Sequence, residues 1–221
     1  MRRVWWSGWR QKALPPSKRL LIATSNPAKL AEYRLLLREF DLEAISLKDA
    51  GIHEHPEEDG ATFEENALKK ARFYFARVGI PTLADDGGLE VDALGGAPGV
   101  RSHRWIGGVE TSDAALVAEV IRRMKGVEES RRTARIAAAA ALIYDAAGEQ
   151  REVVAEAAME GVIGQLAWTQ IRPGFPYRSV LYLPERQCFV AELGDEEEAR
   201  ISQRRKLIAK LAPELRRIAA Q

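Results

Sequence analysis

Residues Arg135–Gln150, RIAAAAALIYDAAGEQ, decide the architecture of this chain. Five successive alanines favour an α-helix on intrinsic propensity. The same stretch lies between turn signals and runs into REVVAEAAMEGVIG, residues 151–164, a combination that suits a long antiparallel hairpin. On the residues alone both readings stand.

The flanking segments alternate. RLLIAT (19–24) reads as a buried strand, SNPAK as a turn, and Leu30 to Phe40 as an amphipathic helix with Leu30, Tyr33, Leu36 and Leu37 on one face. Leu42 to Leu47 returns as a second strand, and His53 to Gly60 is a polar loop. Thr62 caps the next helix, with Glu65 three residues on as a capping box requires, and Gly79 and Pro81 stop it. A strand is then expected to end at Asp85–Asp86, followed by a short strand LEVDAL and the glycine-rich loop GGAPGV. Ser112 to Met124 reads as a helix capped by Thr111 or Ser112. Glu196 to Ala220 reads as a closing helix, kinked or restarted near Pro213.

Composition narrows the function. The chain has 221 residues, 46% of them hydrophobic, enough for a real core. Lysine plus arginine number 33 against 32 acids, a net charge of +1, so no global field favours a nucleic acid polymer or a membrane surface. The single cysteine, Cys188, excludes an internal disulfide framework and a multi-cysteine zinc site, and suits a reducing cytoplasm. No apolar run approaches the roughly 18 to 20 residues that span a bilayer. Residues 1–18, basic and holding three of the five tryptophans, read as an N-terminal extension ahead of one domain over 19–221. That extension is expected to be disordered or packed on the domain, or to follow a start codon placed too early; a basic-aromatic surface anchor is the sharper option.

Two places can carry chemistry. TSNPAK, Thr24 to Lys29, lies at a strand-to-helix junction, where unpaired N–H groups and the helix dipole attract an anion. Ser25 and Asn26 can cap or donate, Pro27 fits the first turn, and Lys29 adds a positive charge. Phosphate is the natural guest, although an ordinary capped turn has the same letters. Asp85 and Asp86, with Glu58 of the acidic loop EEDG, offer the oxygen ligands that Mg2+ prefers; the plain alternative is solvated turn acids. His53 and His55 lack further metal-ligand spacing, and neither a nucleophile elbow nor G-x-G-x-x-G is present.

In order, TSNPAK, EEDGATFEENALKKA and LADDGGLEVDALGGAPGVRS resemble the inosine triphosphate pyrophosphatase family, also called Ham1-like. The likeness extends from about Leu20 to Leu211. It implies an elongated, two-lobed α/β fold with a central mixed, twisted sheet flanked by helices and a cleft between the lobes, usually as a homodimer. It implies Mg2+-dependent hydrolysis of a nucleoside triphosphate to monophosphate and pyrophosphate. By the same resemblance Thr24, Asn26 and Lys29, joined by Ser25 and Lys70, hold the phosphates. Asp86 is the metal ligand and proton acceptor, Glu58 a second metal ligand, and Phe175, Tyr177, Arg178, Gln203, Arg204 and Gly87 face the base.

The departures gather at the base end. Gly87 stands where the family has serine or threonine. FPYR (175–178) replaces the phenylalanine-glycine-aromatic-aspartate loop, Glu198 replaces a lysine, and Gln203 replaces a histidine. Two of these changes reverse charge, and Arg178 and Glu198 are candidates to pair with each other. An altered base preference is therefore expected. The alternatives are a catalytically weak or inactive nucleotide-binding paralogue acting as a sensor or partner subunit, and a pyrophosphatase for modified or pyrimidine nucleotides.

Overall fold

In the computed structural model, which describes residues 18–221, the alanine run is a strand. β4 (Thr133–Ala146) and β5 (Glu149–Ile163) form the long hairpin. Ala147 and Gly148, both at positive φ (54° and 81°), make the two-residue turn, whose twist matches that of the flanking strands. Helix propensity loses because β4 is covered on both faces and paired along both edges, and small side chains fit there.

The remaining strands are β1 (Arg19–Ile22), β2 (Glu43–Ser46), β3 (Thr82–Val91), β6 (Leu181–Leu183) and β7 (Cys188–Phe189). Their order is β2-β1-β3-β4-β5-β6-β7, with β1 parallel to β2 and β3 and every later pairing antiparallel. This is the mixed sheet expected of the α/β class. Helices α1 (Pro27–Leu36), α2 (Phe63–Val78), α3 (Asp113–Arg123), α4 (Asp195–Ile201) and α5 (Gln203–Ala219) complete it. Leu20, Leu83 and Leu142 pack under α1 and α5, whereas Leu21, Ala84 and Ile143 face α2 on the other side. Beyond them a second core, with Leu89, Ile136, Val120 and Leu181, gathers α3 and β6 at the far end of the hairpin.

Several elements depart from the sequence reading. β3 does not end at the aspartate pair; it runs unbroken through Asp85–Asp86–Gly87–Gly88 to Val91, paired residue by residue with Ala134–Ile143, and Asp92–Leu94 form a 3-10 turn rather than a strand end. Helix α1 starts at Pro27, because Asn26 caps it, and its last turn tightens into a 3-10 turn at Leu37–Glu39. Thr62 Oγ1 accepts from Glu65 N at 3.1 Å, but the Glu65 carboxylate returns to Ala61 N at 2.7 Å instead of Thr62 N, so the capping box is displaced by one residue. The closing helix breaks at Ser202, which is extended (ψ 153°) and caps α5 through its hydroxyl. It continues through Pro213, whose exposed position leaves the unpaired Ala209 carbonyl turned toward water.

β6 pairs only with Val162 and Ile163, so residues 149–161 of β5 border no further strand among the described residues. Lys206 and Lys210, one turn apart on α5, donate to the carbonyls of Ala158 and Glu156 along that edge, each at 2.6 Å. Of the expected extension, only Lys18 lies within the described residues.

Candidate active site

Side chains alternate along a strand, so Asp85 and Asp86 leave β3 on opposite faces. This removes the repulsion that adjacent carboxylates would otherwise feel. Asp86 faces α2: Asn66 Nδ2 donates to its Oδ2 at 2.9 Å, and Lys70 Nζ lies 3.6 Å from its Oδ1. Lys70 also donates to Glu58 Oε2 at 3.0 Å. Burial alone would lower the Lys70 pKa, but the Asp86 and Glu58 charges outweigh it and raise it, so the ammonium stays charged between the two carboxylates. Asn66 Oδ1 accepts from Gly60 N at 2.8 Å, and Arg104 donates to the Glu58 carbonyl at 2.6 Å, which together hold the acidic loop over the strand.

Asp85 turns the other way and is 2% exposed. Arg204 Nε donates to its Oδ2 at 3.0 Å, and Lys29 Nζ lies 3.4 Å away. Burial would raise the Asp85 pKa, yet these two cations hold it well below the carboxylate range. Lys29 is lowered by its own burial, which Asp85 only partly offsets.

Between the two cores a cavity of about 660 Å3 is lined by Thr24, Ser25, Asn26, Lys29, Glu58, Lys70 and Asp86 on one side. His103, Arg104, Thr111 and Asp113 line it from the other. The expected phosphate and metal residues are thus brought together. Asn26 is committed to structure as well. Its Oδ1 accepts from Ala28 N and Lys29 N, and its Nδ2 donates to the Gly174 carbonyl at 3.1 Å. Asp113, the first residue of α3, accepts from Gly174 N at 2.7 Å, so the loop before Phe175 is pinned to the starts of both α1 and α3.

A metal site can be tested on its donor chemistry. Among the described residues no three His, Cys, Asp or Glu side chains cluster as an all-protein cage. Asp86 and Glu58 instead offer two carboxylates around one buried cation, facing an open cavity. Such a sparse oxygen set fits Mg2+, which keeps several waters and completes its shell with substrate phosphates. Neither His53 nor His55 joins it; His55 Nδ1 pairs with the Tyr74 hydroxyl at 2.9 Å.

The end expected to face the base is more tightly packed than the motif suggests. A cavity of about 40 Å3, little more than one water's share of space, separates Lys29, Gly87 and His103 from Phe175, Tyr177, Gln203 and Arg204. Tyr177 belongs to the distal core and donates its hydroxyl to the Ser102 carbonyl at 2.5 Å, so its ring is a packing element here rather than an open stacking face. The Arg178 guanidinium lies 3.5 Å above the Phe175 ring centre. Arg178 and Glu198 do meet: Nε stands 2.5 Å from Oε1, although its N–H is not aimed at that oxygen. Gly87 is set by close approach, since a Cβ there would come within 2.5 Å of the Ala137 carbonyl. At Gly88 a Cβ would come within 1.8 Å of Ser102 Oγ.

Several contributors escaped the sequence reading. Glu32 Oε2 accepts from both Arg178 (2.8 Å) and Arg204 (3.1 Å), and Arg172 donates to Glu198 Oε2 at 2.8 Å. A buried chain of alternating charge therefore runs Arg172–Glu198–Arg178–Glu32–Arg204–Asp85–Lys29. Glu32 is three residues beyond Lys29 on one helical face, and Asn66 four before Lys70; those spacings were the available signals.

The Ham1 family model matches residues 20–214. A dITP/XTP pyrophosphatase of Geobacillus kaustophilus is 41% identical over 194 residues, 88% of this chain and 92% of that protein. The Ham1 protein of Staphylococcus aureus superposes with a TM-score of 0.76 at 28% identity, covering 90% of this chain and 98% of that one. A nucleoside-triphosphatase / dITP/XTP pyrophosphatase of Mycobacterium abscessus gives a TM-score of 0.68 at 37% identity, covering 88% and 99%.

Proposed function

The chain belongs to the Ham1 family, and on that premise we propose that its cleft binds a nucleoside triphosphate and hydrolyses it between the α and β phosphates. The products are the monophosphate and pyrophosphate. The observation that carries this reading is the convergence of Asp86, Glu58, Lys70 and Lys29 on one open cavity of about 660 Å3.

Each side chain has a physical task in that reaction. Lys29 and Lys70 set fixed positive charge where the phosphate oxygens would lie, in a partly desolvated wall where it acts more strongly than in water. Thr24 and Ser25 add hydroxyls at the start of α1, and Asn26 holds the Gly174 loop against it. Asp86, oriented by Asn66, accepts the proton of the attacking water. Asp86 and Glu58 would hold Mg2+, which when bound supplies further positive charge to the phosphates.

The relatives are named for dITP and XTP. A different base preference is proposed here because Gly87, Arg178, Glu198 and Gln203 change the groups around the base while the phosphate end keeps its cations and carboxylates. A homodimer and a cytoplasmic location belong to the same reading; no helix among the described residues is long and apolar enough to cross a membrane. The test is incubation of the purified protein with single nucleoside triphosphates and Mg2+. Monophosphate and pyrophosphate in equal amounts support the reading; orthophosphate with diphosphate refutes it.

A further inference from the structure

Arg178 sits where a stacked ligand would sit. Its guanidinium lies 3.5 Å above the centre of Phe175, Nη2 donates to Glu32 Oε2 at 2.8 Å, and Nε stands 2.5 Å from Glu198 Oε1. A guanidinium is flat and delocalised, with N–H donors around its edge. This niche therefore already holds a planar group on an aromatic face, donating to Glu32 and in charge contact with Glu198.

The cations around this niche are already partnered, whereas three acceptors and one hydroxyl, that of Tyr33, are not. Arg172 is engaged by Glu198 and Asp195, Arg178 by Glu32 and Glu198, and Arg204 by Asp85 and Glu32. Conversely Glu32 Oε1, Glu198 Oε1 and Gln203 Oε1 are buried and accept no hydrogen bond. Buried acceptors without donors are costly, and a ligand that brings donors recovers that cost. The niche itself is too small for a base while Arg178 fills it. A cavity of about 320 Å3, bordered by the same Phe175 and Arg178 and walled by Ala28, Ala31 and Leu35, has room for the displaced side chain.

We infer that the base end of the cleft selects nucleobases bearing an exocyclic amino group, which take the place of the Arg178 guanidinium over Phe175 and donate to Glu32 and Glu198. This rests on the reading of the cleft as a nucleoside triphosphate site. Bases with an oxo group at the same ring position present an acceptor to those carboxylates and are disfavoured. The selectivity is strong because a mismatch leaves buried acceptors facing one another.

Two pairs of triphosphates related by exchange of an exocyclic amino group for an oxo group, with the ring proton that accompanies it, test it: ATP with ITP, and GTP with XTP. For each, kcat/KM for pyrophosphate release is measured with Mg2+ at a pH well above 7, where Glu198 is ionised, and affinity is measured calorimetrically under the same conditions with the α,β-methylene analogues. The expected result is a tenfold or larger preference for the amino member in at least one pair, shrinking at least threefold in Glu198→Gln, whose melting curve establishes that it folds. No amino preference in either pair, or a ratio unchanged in Glu198→Gln, overturns the inference. If the analogues show the amino preference but no pyrophosphate is released, the selectivity stands and the hydrolytic reading fails. If no analogue binds, both fail.

Discussion

Asp85 and Asp86 are consecutive in β3 yet point away from each other, Asp85 to a buried guanidinium on α5 and Asp86 to a lysine and an asparagine on α2. One strand residue thereby anchors the fold and the next faces the cleft. Asp86→Asn keeps an oxygen able to accept from Asn66 but removes the charge and the base. Turnover is expected to fall by about a hundredfold or more, with the melting temperature close to that of the wild type. Wild-type rates of pyrophosphate release in this variant would remove Asp86 from the reaction.

Asp85→Asn should do the reverse of a clean catalytic lesion. It takes the carboxylate from Lys29 and leaves Arg204 with Glu32 as its one remaining anion in a dry interior, and breaking a buried pair costs about 3–5 kcal/mol. The sign with pH follows from the depressed Asp85 pKa. Its contribution is complete above the ordinary carboxylate value of 3.8 and is lost as pH falls through and below it. Denaturant unfolding should therefore separate wild type and variant widely at pH 7, with the gap beginning to narrow only as pH falls below 3.8. Equal stability at pH 7 would contradict the assignment.

Gly87→Ser restores the residue type that the resemblance expects there, and it should harm this chain. The new Cβ meets the Ala137 carbonyl at 2.5 Å and the Ala138 methyl at 2.7 Å, both on the adjoining strand. Overpacking of this kind costs about 1–3 kcal/mol. Chemical denaturation checks it, and a stabilised variant would mean that β4 yields more readily than its two buried faces suggest.

Glu198 carries an opposite pH signature. Burial pushes its pKa up to about 7 from an ordinary 4.5, against the pull of Arg178 and Arg172. The folded chain thus keeps a proton that the unfolded chain releases, and stability falls as pH rises from about 4.5 to about 7, by at most about 1.4 kcal/mol per pH unit. Glu198→Gln lacks this slope. Melting temperatures measured across that window should show the wild type losing ground to the variant as pH rises; a constant difference would indicate an ionised Glu198 throughout.

Much of this was legible in the letters, and the failures have physical causes. The strand–turn–helix at Thr24–Lys29 and the capped helix from Phe63 are local, and local signals carried them. The alanine run stayed undecided because propensity is local, whereas the burial of both faces of β4 is not. Following an expected strand end at Asp85–Asp86, Gly87 and Gly88 read locally as a break between two strands. They are extended residues kept small by Ala137 and Ser102, which only the folded chain brings near. Glu32, Arg172 and Asn66 sat inside or beside recognised motifs and were passed over, since their partners lie 20 to 172 positions away.

The two lysines along β5 bear on the fate of the chain in a crowded cell. A long bare strand edge is a template onto which other chains can add, the first step toward insoluble fibres. With the Ala158 and Glu156 carbonyls occupied by Lys206 and Lys210, an incoming strand finds acceptors taken and two ammonium groups in its path. The last helix of the chain thus guards the hairpin's bare edge at Glu156–Ala158 against strand addition.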